Sequence, residues 1–387
     1  MHLDLTWYTK TSDLPDWLWR ACFRPPREGL FWYRALESGA LENQFTFFFG
    51  VLRRDGLPIG IVPAFVFDLP LDLVIPPAVA QLVKLLARGP WRRLAYQRTL
   101  FIGNVAGEEG QIGLLPGHSL NDVVLFVHAT ARAKATALNV PMLVWKEFPE
   151  SMRSAFDGLL ASTHAFRMVS YPGTAISLKP GSYRACLATQ RSARRWKIND
   201  KLRRGTGNLP VTTSIVTRPG QSELGEIFAL FRQTYLRGKT KFERLTPEFF
   251  RAIADCDEAT FVVQRDAASG KMLAFMLMLD LEERVINQFI GIDYESRPDG
   301  FLYFRLFAAA YDWACTTKAA VLQSGQTGYT AKIDMGHSLV PVWNYCEHRN
   351  PLVNRICRKI AHGITWDDLD EQLAEYLNAH PEQRPAA

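Results

Sequence analysis

Four side chains that could bind a substrate or donate a proton lie within ten residues of one another: Gln323, Gln326, Tyr329 and Lys332. The two glutamines flank the end of a short apolar run, AAVLQ, which predicts a strand, and their amides can orient an acceptor group. Tyr329 and Lys332 are three residues apart, so they share one face of a predicted short helix. Because α/β sheets bind ligands beyond the carboxyl ends of their strands, the segment predicts a substrate site with Tyr329 and Lys332 partly exposed. The alternative is helix capping and surface solvation.

Four further residues could supply a general base or contact a substrate: Glu109, Glu147, Asp293 and His348. The histidine has an ordinary pKa near neutrality, which suits proton transfer. Each residue also has a structural explanation, such as an ion pair between Glu147 and its neighbour Lys146, a solvated loop around Glu109, or a surface histidine. The sequence does not choose among these candidates.

The six cysteines are scattered, with no CxxC pair and no histidine cluster at zinc-ligand spacing. This pattern predicts reduced thiols, a cytoplasmic location and no metal. The N-terminal segment lacks a basic leader with an apolar core, and no apolar run reaches the 18 or so residues of a spanning helix. We therefore expect a protein that is neither exported nor integral to a membrane.

Positive charge is concentrated in one segment of the chain. Residues 190–204 hold seven basic residues and one acidic residue, which equals the whole formal net charge of +6. Within the segment, Arg194, Lys197, Lys201 and Arg204 are spaced by three, four and three residues and form a stripe on a predicted helix. The stripe favours contact with a polyanion such as a nucleic acid, an anionic membrane surface or a nucleotide-linked precursor, and a solvated linker face is the alternative.

A basic insertion at about residues 73–98 also has mixed character. It contains no Asp or Glu, and its Lys and Arg residues accompany apolar ones in a pattern typical of a short amphipathic helix at 79–88. Such a helix could lie at a membrane interface. A helix packed into the core is the other interpretation.

The length of 387 residues exceeds what one hydrophobic core usually supports, so we expect two domains. Strands and helices alternate, which indicates an α/β class with mixed sheets, and the order of elements in the first half recurs in the second. The Asp55-Gly56 pair between two apolar runs predicts a hairpin. The predicted divisions are a first domain at 1–180, a basic connecting helix and linker at 181–209, a second domain at 210–375 and a flexible tail at 376–387.

Five stretches of sequence carry a resemblance to a known group of proteins. They are GFLYFRLFAAAYDWA, QSGQTGYTAKIDMGHSLVP and YCEHRNP in the second half, with FIGNVAGEEG and LVWKEFP in the first. Together with the basic segment YRACLATQRSARRWKINDKLRR, they resemble FemAB-like proteins of the GNAT superfamily, a tandem type associated with bacterial peptidoglycan biosynthesis. The resemblance covers nearly the whole chain and implies two tandem GNAT-like domains joined by a basic helix.

The resemblance also implies a reaction and a donor site. GNAT proteins transfer an acyl group directly to an acceptor, and a glycine-rich turn at a helix start binds the coenzyme A pyrophosphate. Here Arg297 and Gly300 match the first part of that turn, while Leu302 stands where a second small residue is usual. Relatives often place a proton-donating Tyr four residues before a Gly, a position that Lys332 occupies before Gly336. An ordinary turn explains Arg297 and Gly300 equally well.

Three classes of function remain open at this point. The first is an acyltransferase acting on an amine, with acyl-CoA slightly preferred as donor. The second is an aminoacyl-tRNA-dependent transferase acting on a peptidoglycan or other lipid-linked precursor, which the basic stripe favours. The third is a catalytically silent GNAT-fold binding protein. In each case we expect a cytoplasmic protein, with peripheral association at the inner membrane surface as a further expectation.

Overall fold

The computed structural model of the protein describes residues 2–71, 96–238, 242–295 and 300–385. Most of the predicted basic insertion, including the helix at 79–88, lies outside these residues, and so does Arg297. The described chain forms two compact units, each assembled from separate segments. Unit 1 contains Met1–Arg24, Leu41–Pro172 and Val340–Ala387, and unit 2 contains Pro25–Ala40 and Gly173–Leu339.

Strands and helices are interspersed along the described chain. The strands are β1 (Leu3–Tyr8), β2 (Phe45–Arg54), β3 (Leu57–Pro70), β4 (Tyr96–Ile102), β5 (Gly113–Leu114), β6 (Met142–Pro149), β7 (Phe166–Val169), β8 (Gly173–Ser177), β9 (Val211–Val216), β10 (Ala259–Asp266), β11 (Met272–Asp280), β12 (Arg284–Ile292), β13 (Val321–Gln323), β14 (Ser338–Val340) and β15 (Val342–His348).

The described helices are α1 (Asp16–Cys22), α2 (Leu30–Ser38), α3 (Val124–Ala137), α4 (Arg153–Ser162), α5 (Tyr183–Ala188), α6 (Ser192–Asn208), α7 (Gln221–Arg237), α8 (Pro247–Ala254), α9 (Leu302–Ala314), α10 (Tyr329–Asp334), α11 (Pro351–Gly363), α12 (Trp366–Leu369) and α13 (Glu371–Ala379). None of these helices is long and apolar enough to cross a membrane.

The sheet of unit 1 has the order β1-β2-β3-β4-β6-β15-β7, with β5 paired to β3. Its β2·β3 hairpin confirms the turn predicted at Asp55-Gly56, where both residues have positive φ, at 51° and 84°. Two such residues in a row make the turn whose twist matches that of paired strands, and Gly adopts this conformation without strain. Strand β4 runs parallel to β6, and the other pairs described here are antiparallel.

Strand β15, from the C-terminal part of the chain, is held in unit 1 by a buried polar cluster. Glu347 lies 2.6 Å from His128 Nε2 and 3.0 Å from Arg132 Nη1, both on α3. Trp145 Nε1 donates to His128 Nδ1 at 3.1 Å, so the imidazole proton lies on Nε2 and is donated to Glu347. Burial raises the pKa of Glu347, but the His128 hydrogen bond and the charge of Arg132 outweigh it and hold that pKa below its ordinary value.

The sheet of unit 2 has the order β14-β8-β13-β12-β11-β10-β9. Helix α9 packs on one face over a core that includes Leu306, Phe307 and Tyr311. The strands β9 to β12 are antiparallel neighbours, and β12 runs parallel to β13. The mixed α/β sheets confirm the predicted fold class.

Segments cross between the two halves of the sequence. Strand β8 and helix α2 come from the first half and belong to unit 2, whereas β15 follows unit 2 in the chain and completes the sheet of unit 1. The domain boundaries predicted at residues 180 and 210 would instead group β8 and α2 with the first domain and β15 with the second. At the other end of the chain, α13 extends to Ala379, and Arg384 pairs with Asp367 at 2.7 Å.

The basic connecting segment forms two helices, α5 and α6, in place of the single predicted helix. The side chain of Ser182 caps α5, and Thr189 Oγ1 bonds back to the carbonyl of Cys186 where that helix ends. Helix α6 then continues through Gly205 to Asn208. Gly205 is needed because a Cβ there would lie 2.5 Å from the carbonyl oxygen of Gly300.

Candidate active site in unit 2

The central strands β12 and β13 diverge after only three residue pairs. Arg284, Val285 and Ile286 pair with Val321, Leu322 and Gln323. Beyond these pairs the chain stays beside β8, where the backbone N–H of Ser324 donates to the carbonyl of Thr174 at 2.8 Å, but it no longer pairs with β12. Strand β12 continues to Ile292 without β13 beside it. The result is a gap in the middle of the sheet.

The part of β12 that borders this gap is half-exposed, although it lies in a central strand. Residues 284–287 and 291–292 are buried, whereas Gln288, Phe289 and Ile290 are of intermediate exposure. A bulge occurs at the same place, because Leu277 of β11 pairs with Phe289 while Met278 pairs with Asn287, so Gln288 is an extra residue. Bulges redirect backbone and side chains and are frequent beside active sites.

Aromatic side chains pack against β12 at Phe289. The Phe289 ring stacks on Trp32 of α2, with ring centroids 6.4 Å apart, and meets Phe231 of α7 and Phe249 of α8 edge-on at 5.7 and 5.9 Å. Large rings of this kind fix a strand by burying apolar area and by favourable ring geometry. The half-exposed strand therefore rests on a rigid support.

The loop after β13 is held by the buried side chain of Lys332. Its Nζ donates to the carbonyls of Ser324 at 2.6 Å and Gly325 at 2.8 Å, and lies 3.5 Å from the carbonyl of Gln326. Lys332 is 9% exposed and Tyr329 is fully buried. The expectation that both side chains are partly exposed is therefore wrong. Residues 324–328 leave the strand end as a loop, and Lys332 reaches back to bind its carbonyls.

A buried histidine completes this polar cluster. His337 Nδ1 lies 3.0 Å from the carbonyl oxygen of Lys332, and Nε2 lies 3.1 Å from Ser324 Oγ. A carbonyl can only accept, so Nδ1 carries the proton and Nε2 accepts from the Ser324 hydroxyl. Burial, assisted by the charge of Lys332, lowers the pKa of His337 to about 3. The imidazole is therefore neutral at physiological pH, and Asn287 Nδ2 lies 3.5 Å from the same serine oxygen.

Gln323 belongs to a second buried network at the paired end of β12. Arg284 Nη1 donates to Gln323 Oε1 at 2.7 Å, Nη2 bonds Glu28 Oε2 at 3.1 Å, and Nε bonds the carbonyl of Pro26 at 2.6 Å. Glu28 is fully buried. The arginine thus connects the start of β12, the end of β13 and the 25–40 segment.

The corresponding parallel pair of unit 1 has no such half-exposed stretch in the described chain. Strands β4 and β6 pair from Thr99 to Ile102, and the loop that follows β4 folds back onto β6. Gly110 N–H donates to the carbonyl of Glu147 at 2.8 Å, and a Cβ on Gly110 would lie 1.9 Å from the carbonyl oxygen of Lys146. Residues 99–105 and 143–148 are all buried. The chain itself fills this position in unit 1.

Three predicted site residues lie in unit 1. Glu147 is buried with φ of 60°, its carboxylate accepts from Lys146 Nζ, and its N–H donates to Asn344 Oδ1 at 2.8 Å. Glu109 precedes Gly110 in the loop that covers β6. His348 pairs with Met142 at the opposite end of the β6·β15 pair, and burial lowers its pKa despite the hydrogen bond to the Asn350 backbone. The structure places Glu109 in the loop whose next residue, Gly110, bonds the Glu147 carbonyl, and it places His348 at the other end of the β6·β15 pair; their predicted roles stay predictions.

Asp293 and Gly300 lie beyond the far end of β12 in unit 2. Asp293 is buried, accepts from Lys271 Nζ at 2.6 Å and from the N–H of Glu295 at 3.0 Å. Gly300 packs against Leu209, whose Cδ2 would lie 2.7 Å from an added Cβ. The Asp293 contacts fit a strand-end ion pair, and phosphate binding at Gly300 stays a prediction.

The predicted basic stripe on α6 is partly paired within unit 2. Lys197 Nζ lies 2.7 Å and Lys201 Nζ 3.8 Å from Asp334 Oδ2, and Arg194 bonds Gln190. The Lys201 ammonium also lies 3.9 Å from the centre of the Phe304 ring. Arg204 is exposed and lies 3.5 Å from Asp200. Part of the stripe therefore fixes α6 in place, and Lys197 and Arg204 remain open to solvent.

Sequence reasoning did not find Ser324, His337, Asn287 or Glu28. Ser324 lies between Gln323 and Gly325 and His337 follows Gly336, so the signal for both was their position beside residues already singled out. Glu28 carried no signal, because its contact with Arg284 joins residues 256 positions apart. In the described chain, no group of three or more His, Cys, Asp or Glu side chains is arranged to hold a metal ion.

Several solved structures share the fold of this chain. The chain is similar to FemX, with 11% identity, 91% of this chain and all of that one covered and a TM-score of 0.59. It is similar to L-PGS from Bacillus licheniformis, with 10% identity, 84% and 92% covered and a TM-score of 0.53. A tandem GNAT protein from the clavulanic acid biosynthesis pathway has 11% identity, 90% and 99% covered and a TM-score of 0.50.

No protein-family model matches the chain, and no curated protein matches its sequence. The architecture nevertheless defines the class of fold. The protein has a GNAT-like fold of the FemAB type, built as two α/β units with mixed sheets. This agrees with the resemblance carried by the sequence.

Proposed function

We propose that the protein transfers an acyl group to an amine in the gap between β12 and β13 of unit 2. The observation that supports this most directly is the divergence of the two parallel strands after Ile286, with a bulge and a half-exposed stretch in a central strand. A gap at the middle of a sheet gives a linear acyl donor access to backbone N–H groups. The resemblance to GNAT proteins implies the same location.

The chemistry needed is a single direct transfer. The amine nitrogen attacks the acyl carbonyl carbon, a C–N bond forms, and the bond to the leaving group breaks as the tetrahedral intermediate collapses. Backbone N–H groups of β12 along the gap stabilise the oxyanion. The attacking amine loses one proton and the leaving thiolate or alkoxide gains one. Tyr329, at the start of α10, is the proposed proton donor, and because its side chain is buried in the structure, the bound donor has to reach its hydroxyl for the proton to pass.

The cluster beside the gap has a positioning role in this proposal. Lys332 fixes the loop that follows β13 by binding its carbonyls, so the backbone of Gln326 is presented in one conformation. Gln323 and Gln326 orient the acceptor. The low pKa of His337, at about 3, makes it a weak base, so its neutral hydrogen bond to Ser324 serves geometry. The general base is not assigned.

The preferred donor is an acyl-CoA. One solved structure with this fold is described as a tandem GNAT protein studied without AcCoA, which supports a coenzyme A thioester as the donor class. The predicted contacts for its pyrophosphate are Arg297 and the amides near Gly300 at the start of α9. The acceptor is proposed to be a small molecule or a cell-envelope precursor, and the protein to act in the cytoplasm, peripheral to the inner membrane surface.

A specific observation favours aminoacyl-tRNA as the alternative donor. Helix α6 presents Lys197, Arg204 and the exposed Arg203 to solvent, together with Trp196, which is 72% exposed. Cations bind phosphates without a sequence code, and an exposed indole can stack on a base. The FemAB-like resemblance implies the same donor. A catalytically silent binding protein is the third possibility.

Ligand-induced thermal stabilisation tests these proposals, because a ligand that binds only the folded state raises the melting temperature. The panel is coenzyme A, acetyl-CoA, palmitoyl-CoA and charged tRNA. Gln288→Trp places a bulky ring at the half-exposed bulge and should abolish the shift. Gln97→Trp, on a half-buried strand position of unit 1, is the matched control and should retain it.

A shift with a coenzyme A ester supports the thioester donor, and a shift with charged tRNA alone supports aminoacyl transfer. The absence of any shift would reject both and favour the binding protein. Equal loss of the shift in Gln288→Trp and Gln97→Trp would remove the support for unit 2 as the donor site.

A further inference from the structure

Helix α11 in unit 1 exposes an apolar stripe. Four of its side chains face solvent at helical spacing: Leu352 is 67% exposed, Val353 36%, Ile356 52% and Ile360 37%. Residues 352, 356 and 360 are four apart and so lie along one face of the helix. A helix of a globular protein normally turns such a stripe toward the core. Here the stripe is turned away from it.

Cations border the stripe, and the helix itself contains no acidic side chain. Residues 349–363 contain four basic residues, Arg349, Arg355, Arg358 and Lys359, and no Asp or Glu. Arg355 and Lys359 are exposed and four residues apart, so they form a row beside Ile356. An apolar stripe edged by cations is complementary to a lipid layer with an apolar interior and negatively charged headgroups.

The helix is fixed to unit 1 by polar contacts on its other face. Asn354 is buried, its Nδ2 donates to the carbonyl of His164 at 2.8 Å, and its Oδ1 accepts from the N–H of His348 at 2.8 Å. Arg358 Nη2 also donates to the carbonyl of His164, at 2.8 Å. The Asn350 side chain caps the N-terminus. These contacts hold the apolar stripe outward.

We propose that α11 binds an anionic lipid surface, lying parallel to it with the stripe from Leu352 to Ile360 in the interface. Helices with a large apolar moment and a basic polar face bind in this way, and their affinity combines buried apolar area with attraction to anionic lipid. The 13 residues give a helix about 20 Å long. This surface is distinct from α6, and the inference does not depend on the proposed reaction.

Vesicle co-sedimentation tests the inference with the full-length protein. The probe is large unilamellar vesicles of phosphatidylglycerol and phosphatidylcholine at equal amounts, with pure phosphatidylcholine for comparison. We expect binding to the anionic vesicles that weakens as salt rises. Ile356→Ser/Ile360→Ser and Arg355→Gln/Lys359→Gln should each weaken binding by about tenfold or more.

Matched controls use exposed residues elsewhere. Leu57→Ser changes a side chain that is 71% exposed, and Arg218→Gln/Arg251→Gln removes two exposed cations; both should bind like the wild type. Circular dichroism melting checks that each variant folds. The substitutions are all at exposed positions, so their melting temperatures should stay close to that of the wild type.

Three results would overturn the inference. The first is no binding of the wild type to anionic vesicles. The second is loss of binding in Lys197→Gln/Arg204→Gln with full binding in the α11 variants, which would assign lipid contact to α6. The third is a dimer of the wild type in sedimentation velocity that Ile356→Ser/Ile360→Ser dissociates, which would make a second copy the occupant of the stripe.

Discussion

Ser324 donates its hydroxyl hydrogen to Nε2 of His337 across 3.1 Å, in a site where both side chains are buried. The other ring nitrogen of His337 is engaged by the carbonyl of Lys332, whose ammonium in turn binds the carbonyl of Ser324. The three residues therefore form a closed ring of hydrogen bonds between the end of β13 and α10. This ring fixes the edge of the proposed active site, and it depends on a neutral imidazole.

His337 should make the stability of the protein fall in mild acid. Its folded-state pKa is lowered to about 3, so below the ordinary value of 6.5 the unfolded chain binds a proton that the folded protein does not. The stabilising contribution is complete above the unfolded pKa and is lost as pH falls toward the folded one. Between pH 7.5 and pH 5 this amounts to about 2 kcal/mol of unfolding free energy.

Urea unfolding at the two pH values measures this contribution. His337→Asn keeps a donor near the Lys332 carbonyl and removes the titrating ring, so its stability should differ less between pH 7.5 and pH 5. His362→Asn changes an exposed histidine and serves as the control. An unchanged pH dependence in His337→Asn would contradict a neutral, buried imidazole.

The buried pair between Arg284 and Glu28 should be costly to break. Glu28→Gln leaves the guanidinium buried without its counter-charge, and removal of one partner of a buried pair destabilises by about 3–5 kcal/mol. Asp257→Asn breaks the exposed pair with Arg218 and should change stability by less than about 1 kcal/mol. Both values come from chemical denaturation, and equal effects would refute the structural role assigned to Glu28.

If the loop after β4 packs closely on β6 in unit 1, position 110 should not accept a side chain. A Cβ there would lie 1.9 Å from the Lys146 carbonyl oxygen, which demands backbone movement, so Gly110→Ala should destabilise by about 2 kcal/mol or more. Gly158 lies in α4 of the same unit with open space around its Cβ position, so Gly158→Ala should be neutral or stabilise by up to about 1 kcal/mol. Thermal melts that showed Gly110→Ala as stable as the wild type would exclude the filled arrangement.

Lys332→Met should lower turnover more than substrate affinity. The methionine fills the volume but leaves the loop carbonyls without their ammonium, so the loop beside the gap loses its fixed conformation. We expect kcat to fall about tenfold or more, with a smaller change in KM. Tyr329→Phe should also lower kcat if its hydroxyl protonates the leaving group. Steady-state kinetics with unchanged kcat in both variants would remove the pair from the mechanism.

The sequence predicted the class of fold and several of the elements around the candidate site. Alternating strands and helices, the Asp55-Gly56 turn and the strand before Gln323 all follow from local periodicity and turn chemistry, and the structure has them. The sequence did not reveal that β15 belongs to unit 1 and α2 to unit 2, because their partners are distant in sequence. The burial of Lys332 was also not predictable, because its partners are backbone carbonyls, and every residue type has one.

Charge patterns were the less reliable guide to surfaces. The basic residues of α6 were evident in sequence, yet Lys201 and Lys197 pair with Asp334 within unit 2. The exposed stripe of α11 was missed, because an amphipathic pattern does not tell which face is turned to the core. The burial of Asn354 and Ala361 and the exposure of Leu352, Ile356 and Ile360 identify the outward face.

Hydrogen exchange of the backbone amides, with and without acetyl-CoA or charged tRNA, tests most directly whether the gap in unit 2 is the donor site. We expect the donor to slow exchange in residues 284–292, at the half-exposed bulge of β12, and to leave residues 99–112 and 142–149 of unit 1 unchanged. Slowed exchange confined to those residues of unit 1, with none in β12, would contradict that expectation.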